Sequence, residues 1–339
     1  MKIIITGGAG FIGSNLILYL FHKHKNWTIY NLDKLTYASD RSFLNPIKDS
    51  ERYHFKKIDL VDRDAVKDVV KAFQPDGVIH LAAESHVDNS ITGPEPFIQS
   101  NVLGTFNILE ECRQMWKEDE DMWRQNRFLH VSTDEVYGEL EDDGYFTETT
   151  PYAPNSPYSA SKAGSDMIVR SYFQTYGMNL VTTNCSNNYG PHQHDEKLIP
   201  TVIRNAVSHQ PIPVYGKGQN IRDWLFVRDH CSAIETAFLT GKAGETYNVG
   251  GNNEWKNLDL VYKICEVLNA KVKKGPDGDY KNLISFVTDR LGHDFRYAID
   301  ASKIKRELNW EPNPDFDSML EETVLWYVDK YENSSKVGS

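Results

Sequence analysis

Short apolar runs alternate with segments of helical periodicity along the first half of the chain. Lys2 to Thr6 and Trp27 to Leu32 have the pattern of buried strands. Between them, a helical spacing relates the apolar residues Ile12, Leu16 and Leu20. The alternation continues with predicted strands over Tyr53 to Ile58, Gly77 to Leu81, Phe128 to Ser132 and Asn179 to Thr183, and with predicted helices over Asp62 to Phe73, Glu95 to about Trp116 and Tyr158 to about Tyr176. Strands that alternate with helices in this way predict an α/β protein with a doubly wound parallel sheet.

The alternation weakens after Asn184, where Pro and Gly become frequent. We expect residues 1–185 to form the first domain, with 218–255 returning to it because Tyr247 to Gly250 has the pattern of a further strand. Residues 186–217 and 256–330 are predicted to form a smaller, discontinuous α/β lobe, which includes an amphipathic helix over Leu258 to Leu268. Residues 331–339 are predicted to be a frayed tail.

Composition excludes several classes of protein. The chain has 339 residues, 40% hydrophobic and 25% charged, with a mean hydropathy of -0.53. No apolar run approaches the ~20 residues that a membrane helix requires. Met1 leads directly into an apolar strand without a signal-peptide pattern, so we expect a cytoplasmic protein that does not contact membranes. A net charge of -11 disfavours nucleic acid as a partner, since its phosphates are bound by Lys and Arg.

The four cysteines do not form a metal-binding pattern. Cys112, Cys185, Cys231 and Cys265 are scattered along the chain, with no Cys-x-x-Cys pair and no suitable His spacing. We therefore predict reduced thiols and no metal site.

Glycines follow the first strand at the position where a dinucleotide would bind. Gly7, Gly10 and Gly13 lie between the first predicted strand and helix, where small residues let a pyrophosphate approach the helix N-terminus. The second strand ends at Asp33, roughly twenty residues later, where a carboxylate can hold the ribose 2'-hydroxyl of NAD. Asp33 would repel the 2'-phosphate of NADP, although Lys34 places a cation beside it. The pattern predicts a Rossmann fold that binds NAD.

Other strand ends supply further candidates at the same edge of the sheet. Asp59 follows the third strand and could reach the adenine, while Ala82 and Ala83 could flank the dinucleotide. An ordinary strand-end Asp and two small packing residues explain the same pattern nearly as well. The polar segment Ala83 to Ser90 also follows a strand end and is expected to border the ligand.

Tyr158 and Lys162 are four residues apart, so they lie on one face of the predicted helix. An ammonium there could lower the pKa of the phenol. A change from ~10 to near 7 requires about 4 kcal/mol, which one charge at roughly 4 Å supplies at an effective dielectric constant near 20. The pair is a candidate general base.

Thr133, Asp134 and Glu135 follow the strand that ends at Ser132. They add a hydroxyl and two adjacent carboxylates at the carboxyl edge of the sheet, close to the expected position of Tyr158. Oxidation alone would not need two carboxylates, but an elimination needs an acid and a base. In the second lobe, Arg222, Arg290 and His293 are candidates to bind a phosphate-bearing substrate.

Eight motifs together resemble one family. They are TGGAGFIGSN, NLDKLTYA, HLAAESHVDNSI, VSTDEVYG, YSASKAGSD, NCSNNYGP, PVYGKGQNIRDWLFV and TDRLGHDFRY. The chain is similar over residues 1 to about 325 to the dTDP-glucose 4,6-dehydratases, which belong to the extended short-chain dehydrogenase/reductase superfamily. The Thr133-Asp134-Glu135 triplet makes the resemblance specific to this family. The Tyr-Lys pair and the glycine turn identify only the superfamily.

The resemblance implies two sets of binding residues and a homodimer formed by the helices after Glu95 and Tyr158. The implied NAD site consists of Gly7, Gly10, Phe11, Ile12, Gly13, Asp33, Lys34, Leu35, Thr36, Asp59, Leu60, Leu81, Ala82, Ala83, Ser85, Ser100, Tyr158, Lys162 and Asn188. The implied nucleotide-sugar site consists of Ser85, Thr133, Asn187, Lys197, Leu198, Pro213, Val214, Tyr215, Arg222, Asn257, Asp289, Arg290 and His293.

The reaction expected from the resemblance is a dehydration through a transient redox cycle of NAD. Tyr158 would take the proton of the sugar 4-hydroxyl, with Lys162 holding the phenolate. Glu135 would then remove the proton of carbon 5 while Asp134 protonates the departing 6-hydroxyl. Which carboxylate has the raised pKa stays open. Two alternatives are a nucleotide-sugar 4-epimerase, which has no elimination step, and a catalytically silent NAD-binding regulatory protein.

Overall fold

The computed structural model describes residues 1–272, 275–289 and 294–337, with side chains as far as residue 333. Thirteen strands lie in these ranges. They are β1 (Lys2–Thr6), β2 (Thr28–Asp33), β3 (Tyr53–Lys57), β4 (Gly77–His80), β5 (Arg127–Thr133), β6 (Leu180–Cys185), β7 (Asn187–Tyr189), β8 (Ile212–Tyr215), β9 (Ile221–Phe226), β10 (Thr246–Val249), β11 (Glu254–Lys256), β12 (Ile284–Val287) and β13 (Arg296–Tyr297).

Twelve α-helices lie in the same ranges. They are α1 (Phe11–Lys23), α2 (Arg63–Phe73), α3 (Val87–Thr92), α4 (Glu95–Phe97), α5 (Gly104–Trp116), α6 (Glu120–Gln125), α7 (Pro157–Tyr176), α8 (Leu198–Val207), α9 (Val227–Thr240), α10 (Asn257–Lys271), α11 (Ser302–Leu308) and α12 (Phe316–Val337). A π-helical turn, Ile98–Leu103, joins α4 to α5, so the helix predicted from Glu95 to Trp116 is nearly continuous.

Seven parallel strands form the main sheet, in the order β10-β6-β5-β4-β1-β2-β3. Successive side chains of β1 alternate between its two faces. Ile3 and Ile5 pack with Leu16 of α1 and Ile234 of α9, and Ile4 packs on the opposite face with the core beneath α2, α5 and α7. Burial of both faces explains the continuous apolar runs in the sequence. The predicted doubly wound parallel sheet is confirmed.

The chain order of the strands reverses between β1 and β4, with β2 and β3 on one side and β4 to β6 on the other. Such a reversal leaves a crevice beyond the carboxyl ends of the central strands, where open α/β sheets bind their ligands. The glycine turn after β1 and the polar residues after β4, β5 and β6 therefore meet at one edge.

The smaller lobe has its own sheets and core. Strands β11, β9 and β13 pair in that order, β7 pairs with β9, and β8 pairs separately with β12. A second hydrophobic core includes Val202, Leu260 and Leu320, from α8, α10 and α12.

Residues 218–255, predicted to return to the first domain, contribute to both lobes. β10 joins the main sheet beside β6, and α9 packs against β5 and β6. β9 pairs with β7, β11 and β13 in the smaller lobe.

Residues 331–337, predicted to belong to a frayed tail, continue the helix α12. Its anchor is Tyr331, whose hydroxyl donates a 2.7 Å hydrogen bond to Asp195, and Lys330 forms an ion pair of 2.7 Å with the same carboxylate. Among the described residues, no helix is both long and apolar enough to cross a membrane. The described residues also contain no group of three His, Cys, Asp or Glu placed to bind a metal ion.

Candidate active site

In the turn between β1 and α1, the backbone of Gly7 approaches that of Ala82, and the backbone of Gly13 approaches that of Gly7. Gly7 has a φ of +70°, and a Cβ there would lie 2.8 Å from the backbone of Ala82. A Cβ on Gly13 would lie 2.2 Å from the carbonyl oxygen of Gly7, so no larger residue fits without a shift. No side chain caps the start of α1 at Gly10. The first N–H groups of the helix are thus suited to a pyrophosphate.

Asp33 at the end of β2 is fixed by its neighbours. Its carboxylate accepts hydrogen bonds from the backbone N–H of Ala9 at 2.9 Å and of Leu35 at 2.8 Å, and from the hydroxyl of Ser39 at 3.1 Å. Each carboxylate oxygen can accept more than one hydrogen bond, so capacity remains for a ribose hydroxyl. Together with the glycine turn, Asp33 provides a cradle that fits NAD.

A single cleft runs from this cradle to the ends of β5 and β6. Every residue of the predicted NAD site except Leu35 lines this cleft. The lining residues from that set are Gly7, Gly10, Phe11, Ile12, Gly13, Asp33, Lys34, Thr36, Asp59, Leu60, Leu81, Ala82, Ala83, Ser85, Ser100, Tyr158, Lys162 and Asn188. Leu35 instead has a φ of +58° and fixes Asp33 through its backbone N–H.

Thr133, Asp134 and Glu135 also line the cleft. Thr133 is the last residue of β5, and a short 3-10 helix, Asp134–Tyr137, begins directly after it. The hydroxyl of Thr133 accepts a hydrogen bond from the backbone N–H of Glu135 at 3.3 Å and donates to the Asp134 carboxylate at 3.3 Å. The strand end and its cap therefore hold both carboxylates at the cleft.

The two carboxylates differ in their surroundings. Asp134 is 1% exposed, whereas Glu135 is half-buried. Burial, followed by repulsion from Glu135 and Asp223, raises the pKa of Asp134 well above its usual range. The surroundings of Asp134 therefore favour its protonated form, which makes it our candidate for the carboxylate with the raised pKa.

The pKa of Tyr158 shifts in the direction opposite to the one predicted from the sequence. Burial and the charge of Glu135 raise the pKa of its phenol well above the usual range, although a hydrogen bond with Thr133 opposes this shift. The predicted lowering of this pKa by Lys162 is not among the largest effects on the phenol, and the role of the pair as a base stays a prediction. The Lys162 ammonium donates instead to the backbone carbonyl of Val131, at 2.8 Å. Helical spacing placed the pair on one face but could not show the depth of burial.

Lys162 is itself buried, and burial lowers the pKa of its ammonium. The nearby charge of Asp166 opposes that shift. Asp166 accepts hydrogen bonds from Ser132 at 2.8 Å and Tyr152 at 3.0 Å, and it forms a contact of 2.9 Å with His130. This buried group lies directly behind the Tyr-Lys pair.

The residues of the predicted sugar-nucleotide site fall into two groups. Ser85, Thr133, Asn187 and Lys197 line the cleft. The cleft lining does not include Leu198, Pro213, Val214, Tyr215, Arg222, Asn257 and Asp289. Arg290 and His293 lie outside the described residues.

Arg222 is buried beside the cleft, and its guanidinium makes hydrogen bonds within the protein. Its guanidinium donates to the backbone carbonyls of Ile221 at 2.7 Å, Asp294 at 2.8 Å and Phe295 at 3.1 Å. It also lies over the ring of Tyr297, 4.3 Å from the centroid. In this structure Arg222 holds two segments of the smaller lobe together, and its contact with a phosphate stays a prediction.

The sequence did not identify several polar residues that line the cleft. They include Ser39, Ser186, Gln193, His194 and Glu196. The only available signal was position: Ser39 lies six residues after Asp33, and the last three fall in the polar segment before Lys197. His194 and His86 both face Glu196, at 3.5 and 3.6 Å, so this segment meets the loop that follows β4.

The family described as GDP-mannose 4,6 dehydratase matches residues 4–323 of this chain. The dTDP-glucose 4,6-dehydratase of Salmonella typhimurium is 51% identical over 351 residues, which cover 100% of this chain and 96% of the relative. The dTDP-glucose 4,6-dehydratase of Neisseria meningitidis serogroup B is 50% identical, covering 97% of this chain and 93% of the relative.

Two solved structures have closely similar folds. The crystal structure of dTDP-glucose 4,6-dehydratase from Bacillus anthracis in complex with NAD has a TM-score of 0.87 and 43% identity, and covers 98% of both chains. A UDP-glucuronic acid 4-epimerase from Bacillus cereus has a TM-score of 0.85 at only 25% identity, covering 98% of this chain and all of the other. This chain belongs to the dTDP-glucose 4,6-dehydratase family of the extended short-chain dehydrogenases/reductases.

Proposed function

We propose that this chain is an NAD-dependent lyase that converts dTDP-glucose to its 4-keto-6-deoxy derivative and water. The observation that carries the proposal is the meeting of Thr133, Asp134 and Glu135 with Tyr158 in the cleft that also contains the dinucleotide cradle. Similarity to dehydratases over the whole chain supports it.

Oxidation at carbon 4 needs a base for the sugar hydroxyl. NAD, when bound, would supply a positively charged hydride acceptor for the oxidation at carbon 4 and, once reduced, the hydride for carbon 6. Tyr158 accepts the hydroxyl proton as a phenolate, which burial and the charge of Glu135 oppose by raising its pKa. Its hydrogen bond with Thr133 favours the phenolate, and the positive charge of NAD, when bound, would do the same. Burial lowers the pKa of the neighbouring Lys162, and Asp166 favours its protonated form.

Elimination across carbons 5 and 6 needs an acid and a base together. The ketone at carbon 4 makes the proton on carbon 5 acidic, and Glu135 removes it. The bond between carbon 6 and its oxygen then breaks, and Asp134 donates the proton that turns the departing hydroxyl into water. The raised pKa of Asp134 fits the acid, because a protonated carboxyl is needed at neutral pH.

The alternatives are not favoured. A 4-epimerase needs the oxidation but has no use for an acid and base that eliminate water. Identity to the Bacillus cereus epimerase is 25%, against 51% to the Salmonella typhimurium dehydratase. A silent NAD-binding regulatory protein would not need Thr133, Tyr158 and Lys162 together.

We also propose a homodimer and a cytoplasmic location. Four large apolar side chains are exposed on α3, the π-helical turn and α7, which pack against one another: Ile91, Ile98, Leu103 and Met167. A second copy of the chain would cover this face. All four cysteines are buried, unpaired thiols, as is usual in a reducing compartment.

Incubation of the protein with dTDP-glucose and NAD tests the function. We expect a product with the alkali-induced absorbance of a 4-ketosugar and with carbon 6 reduced to a methyl group. Mass spectrometry should show the loss of one water from the substrate. An epimer of unchanged mass would support the epimerase instead, and retention of NAD with no product would support the silent protein.

A further inference from the structure

Asp166 continues the stripe of Tyr158 and Lys162 along α7. It follows Lys162 by four residues, as Lys162 follows Tyr158, so the three side chains lie on one face of the helix. Asp166 is 3% exposed and Lys162 is 4% exposed, so bulk water solvates neither charged group. A buried charge is costly unless an opposite charge and hydrogen bonds compensate it. Each of these two groups therefore needs a compensating partner within the protein.

Three donors surround the carboxylate of Asp166. One of its oxygens accepts hydrogen bonds from the hydroxyls of Ser132 at 2.8 Å and Tyr152 at 3.0 Å, and the other lies 2.9 Å from Nε2 of His130. Burial, followed by the charge of Asp166, raises the pKa of the Tyr152 phenol, so that hydroxyl keeps its proton and donates it. An ionised carboxylate accepts at both oxygens and donates at neither. The arrangement therefore fits an ionised Asp166.

The same contacts fix α7 against β5. His130 and Ser132 are two residues apart on the strand, so their side chains lie on one face and both reach Asp166. The Lys162 ammonium donates to the carbonyl of Val131, the residue between them, at 2.8 Å. Asp166 and Lys162 thus bind three consecutive residues of β5, and this strand leads directly into the acid pair.

Three further titratable groups among the described residues face Lys162. They are Cys185 at the end of β6, His130 of β5 and His80 of β4. Burial raises the pKa of the Cys185 thiol to about 12 and lowers the pKa of both imidazoles, so these groups are uncharged at neutral pH. They cannot compensate the ammonium.

Two phenols face Asp166 from the segment after β5, and they are also uncharged. Burial raises the pKa of Tyr137 and of Tyr152, with the charge of Glu148 as the next cause for Tyr137 and that of Asp166 for Tyr152. Glu135 acts on Tyr158, at the other end of the stripe from Asp166. Asp166 is accordingly the anion that compensates Lys162.

We propose that Asp166 is a positioning residue that keeps Lys162 charged and fixed against β5, so that Tyr158 can ionise during oxidation at carbon 4. Asp166 does not line the cleft, whereas Lys162 and Tyr158 do, so it acts through Lys162. Without the carboxylate, the buried ammonium loses its proton, and the phenolate loses a cationic neighbour. The consequence for oxidation rests on the proposed function, but the pairing of Asp166 with Lys162 does not.

The charge of Lys162 can be measured on the protein with NAD bound and no substrate. In NMR spectra of protein labelled with ¹³C at the lysine Cε atoms, the resonance missing in Lys162→Met belongs to Lys162. We expect a charged Lys162 at pH 7, and a titration midpoint lower by about one pH unit or more in Asp166→Asn. A neutral Lys162 in the parent at pH 7, or equal midpoints in the parent and Asp166→Asn, would overturn the proposal.

Tyr152→Phe is the matched control for this titration. It removes one hydrogen bond from the same carboxylate and keeps the negative charge. The midpoint of Lys162 should therefore stay at the parent value. A midpoint that falls as far in Tyr152→Phe as in Asp166→Asn would show that packing, and not the charge of Asp166, sets the protonation of Lys162.

The pH dependence of dTDP-glucose turnover tests the consequence for oxidation. When Lys162 is neutral, Tyr158 ionises less readily, so the acidic limb should move to higher pH by about one unit in Asp166→Asn, a tenfold loss of rate below the midpoint. If Lys162 stayed charged, loss of a nearby negative charge would move the limb to lower pH. That movement, or a lower rate with an unmoved limb, would overturn the proposal. If the parent protein does not turn over dTDP-glucose, the proposed function fails, and the NMR titration still decides the pairing.

A variant that removes both charges covers the case in which Asp166→Asn does not fold. Asp166→Asn alone leaves a buried cation without its partner, whereas Asp166→Asn combined with Lys162→Met leaves neither charge. We expect the double variant to fold and to melt at a higher temperature than Asp166→Asn. A double variant that loses as much stability as the two single variants added together would show independent packing roles and would overturn the pairing.

Discussion

Lys34 is paired with Glu84 across the cofactor cleft: its Nζ lies 2.7 Å from the Glu84 carboxylate. The same ammonium donates a hydrogen bond of 2.6 Å to the hydroxyl of Ser100. Lys34 directly follows Asp33, where a cation could otherwise bind the 2'-phosphate of NADP. Glu84 neutralises that cation, so Lys34 does not offset the preference of Asp33 for NAD.

We therefore expect NAD to bind much more tightly than NADP, as calorimetry with both cofactors would measure. Glu84→Gln releases Lys34, and should reduce the ratio of the two affinities by roughly threefold to tenfold, because the pair is partly exposed. Glu118→Gln is a suitable control, since Glu118 is exposed and remote from the cleft lining. Comparable affinities of the unchanged protein for NAD and NADP would contradict this interpretation.

Asp134 should make the folded protein less stable as pH rises. Its pKa is raised in the folded state by burial, so between the unfolded pKa, ~3.9, and the folded pKa the unfolded chain ionises while Asp134 keeps its proton. Stability from this group is complete at the acidic end of that window and declines above it. Asp134→Asn removes the effect, and should raise the melting temperature at pH 7.

The gain from Asp134→Asn should shrink as pH falls towards 4, which thermal unfolding at a series of pH values would measure. Asp142→Asn, on an exposed loop, controls for the loss of one acidic residue. A gain that does not change between pH 4 and pH 7 would show that the carboxyl of Asp134 is not held protonated.

Arg222 should contribute to stability as well as to substrate binding. Arg222→Ala removes hydrogen bonds to Ile221, Asp294 and Phe295, so backbone carbonyls lose charged donors in a buried place. We expect a loss of roughly 2–5 kcal/mol in the free energy of unfolding. We also expect the affinity for dTDP-glucose to fall far more than the affinity for NAD, because Arg222 is predicted to contact a phosphate of the substrate.

Arg222→Lys separates the two effects. It keeps the positive charge near Asp134 and Glu135 but loses the planar fork that reaches several carbonyls. We expect it to be nearly as destabilised as Arg222→Ala in denaturant unfolding, with substrate affinity closer to that of the parent. Equal losses of NAD and dTDP-glucose affinity in both variants would instead indicate a purely structural Arg222.

Local patterns predicted the main sheet well, and they placed the glycine turn and Asp33 at the ends of its strands. Buried parallel strands are continuous apolar runs, so Ile3, Ile4 and Ile5 identify β1 without knowledge of its neighbours. Gly7 and Asp33 occupy fixed positions after strands, and each position has a physical requirement that few other residues meet. Nothing outside these short segments is needed for either inference.

Contacts between distant parts of the chain could not be predicted in this way. Arg222 donates to a carbonyl 73 positions later, at Phe295, which no spacing reveals. β9 pairs with β7 before it and with β11 and β13 after it, so its place in the smaller lobe depends on three strands that local spacing does not relate to it. The raised pKa of Tyr158 likewise depends on burial by several elements, whereas helical spacing describes one helix.

The acid pair gives the sharpest test of the proposed reaction. Replacing Asp134 by Asn and Glu135 by Gln removes the acid and the base of elimination and leaves Tyr158 in place. The first half-reaction should still run, so NADH should accumulate on the enzyme after dTDP-glucose is added. Overall turnover should fall by at least the ~10²–10⁴-fold expected for losing one acid or base.

Two measurements test this double variant. Absorbance in the reduced-nicotinamide band reports NADH, and loss of deuterium from substrate labelled at carbon 5 reports removal of that proton. Tyr158→Phe is the control, since without the phenol neither NADH nor exchange should appear. The double variant should show NADH without exchange, because Glu135 is the group that removes the carbon 5 proton. If it exchanges deuterium and turns over like the parent, Asp134 and Glu135 are not the elimination machinery, and the proposed roles are wrong.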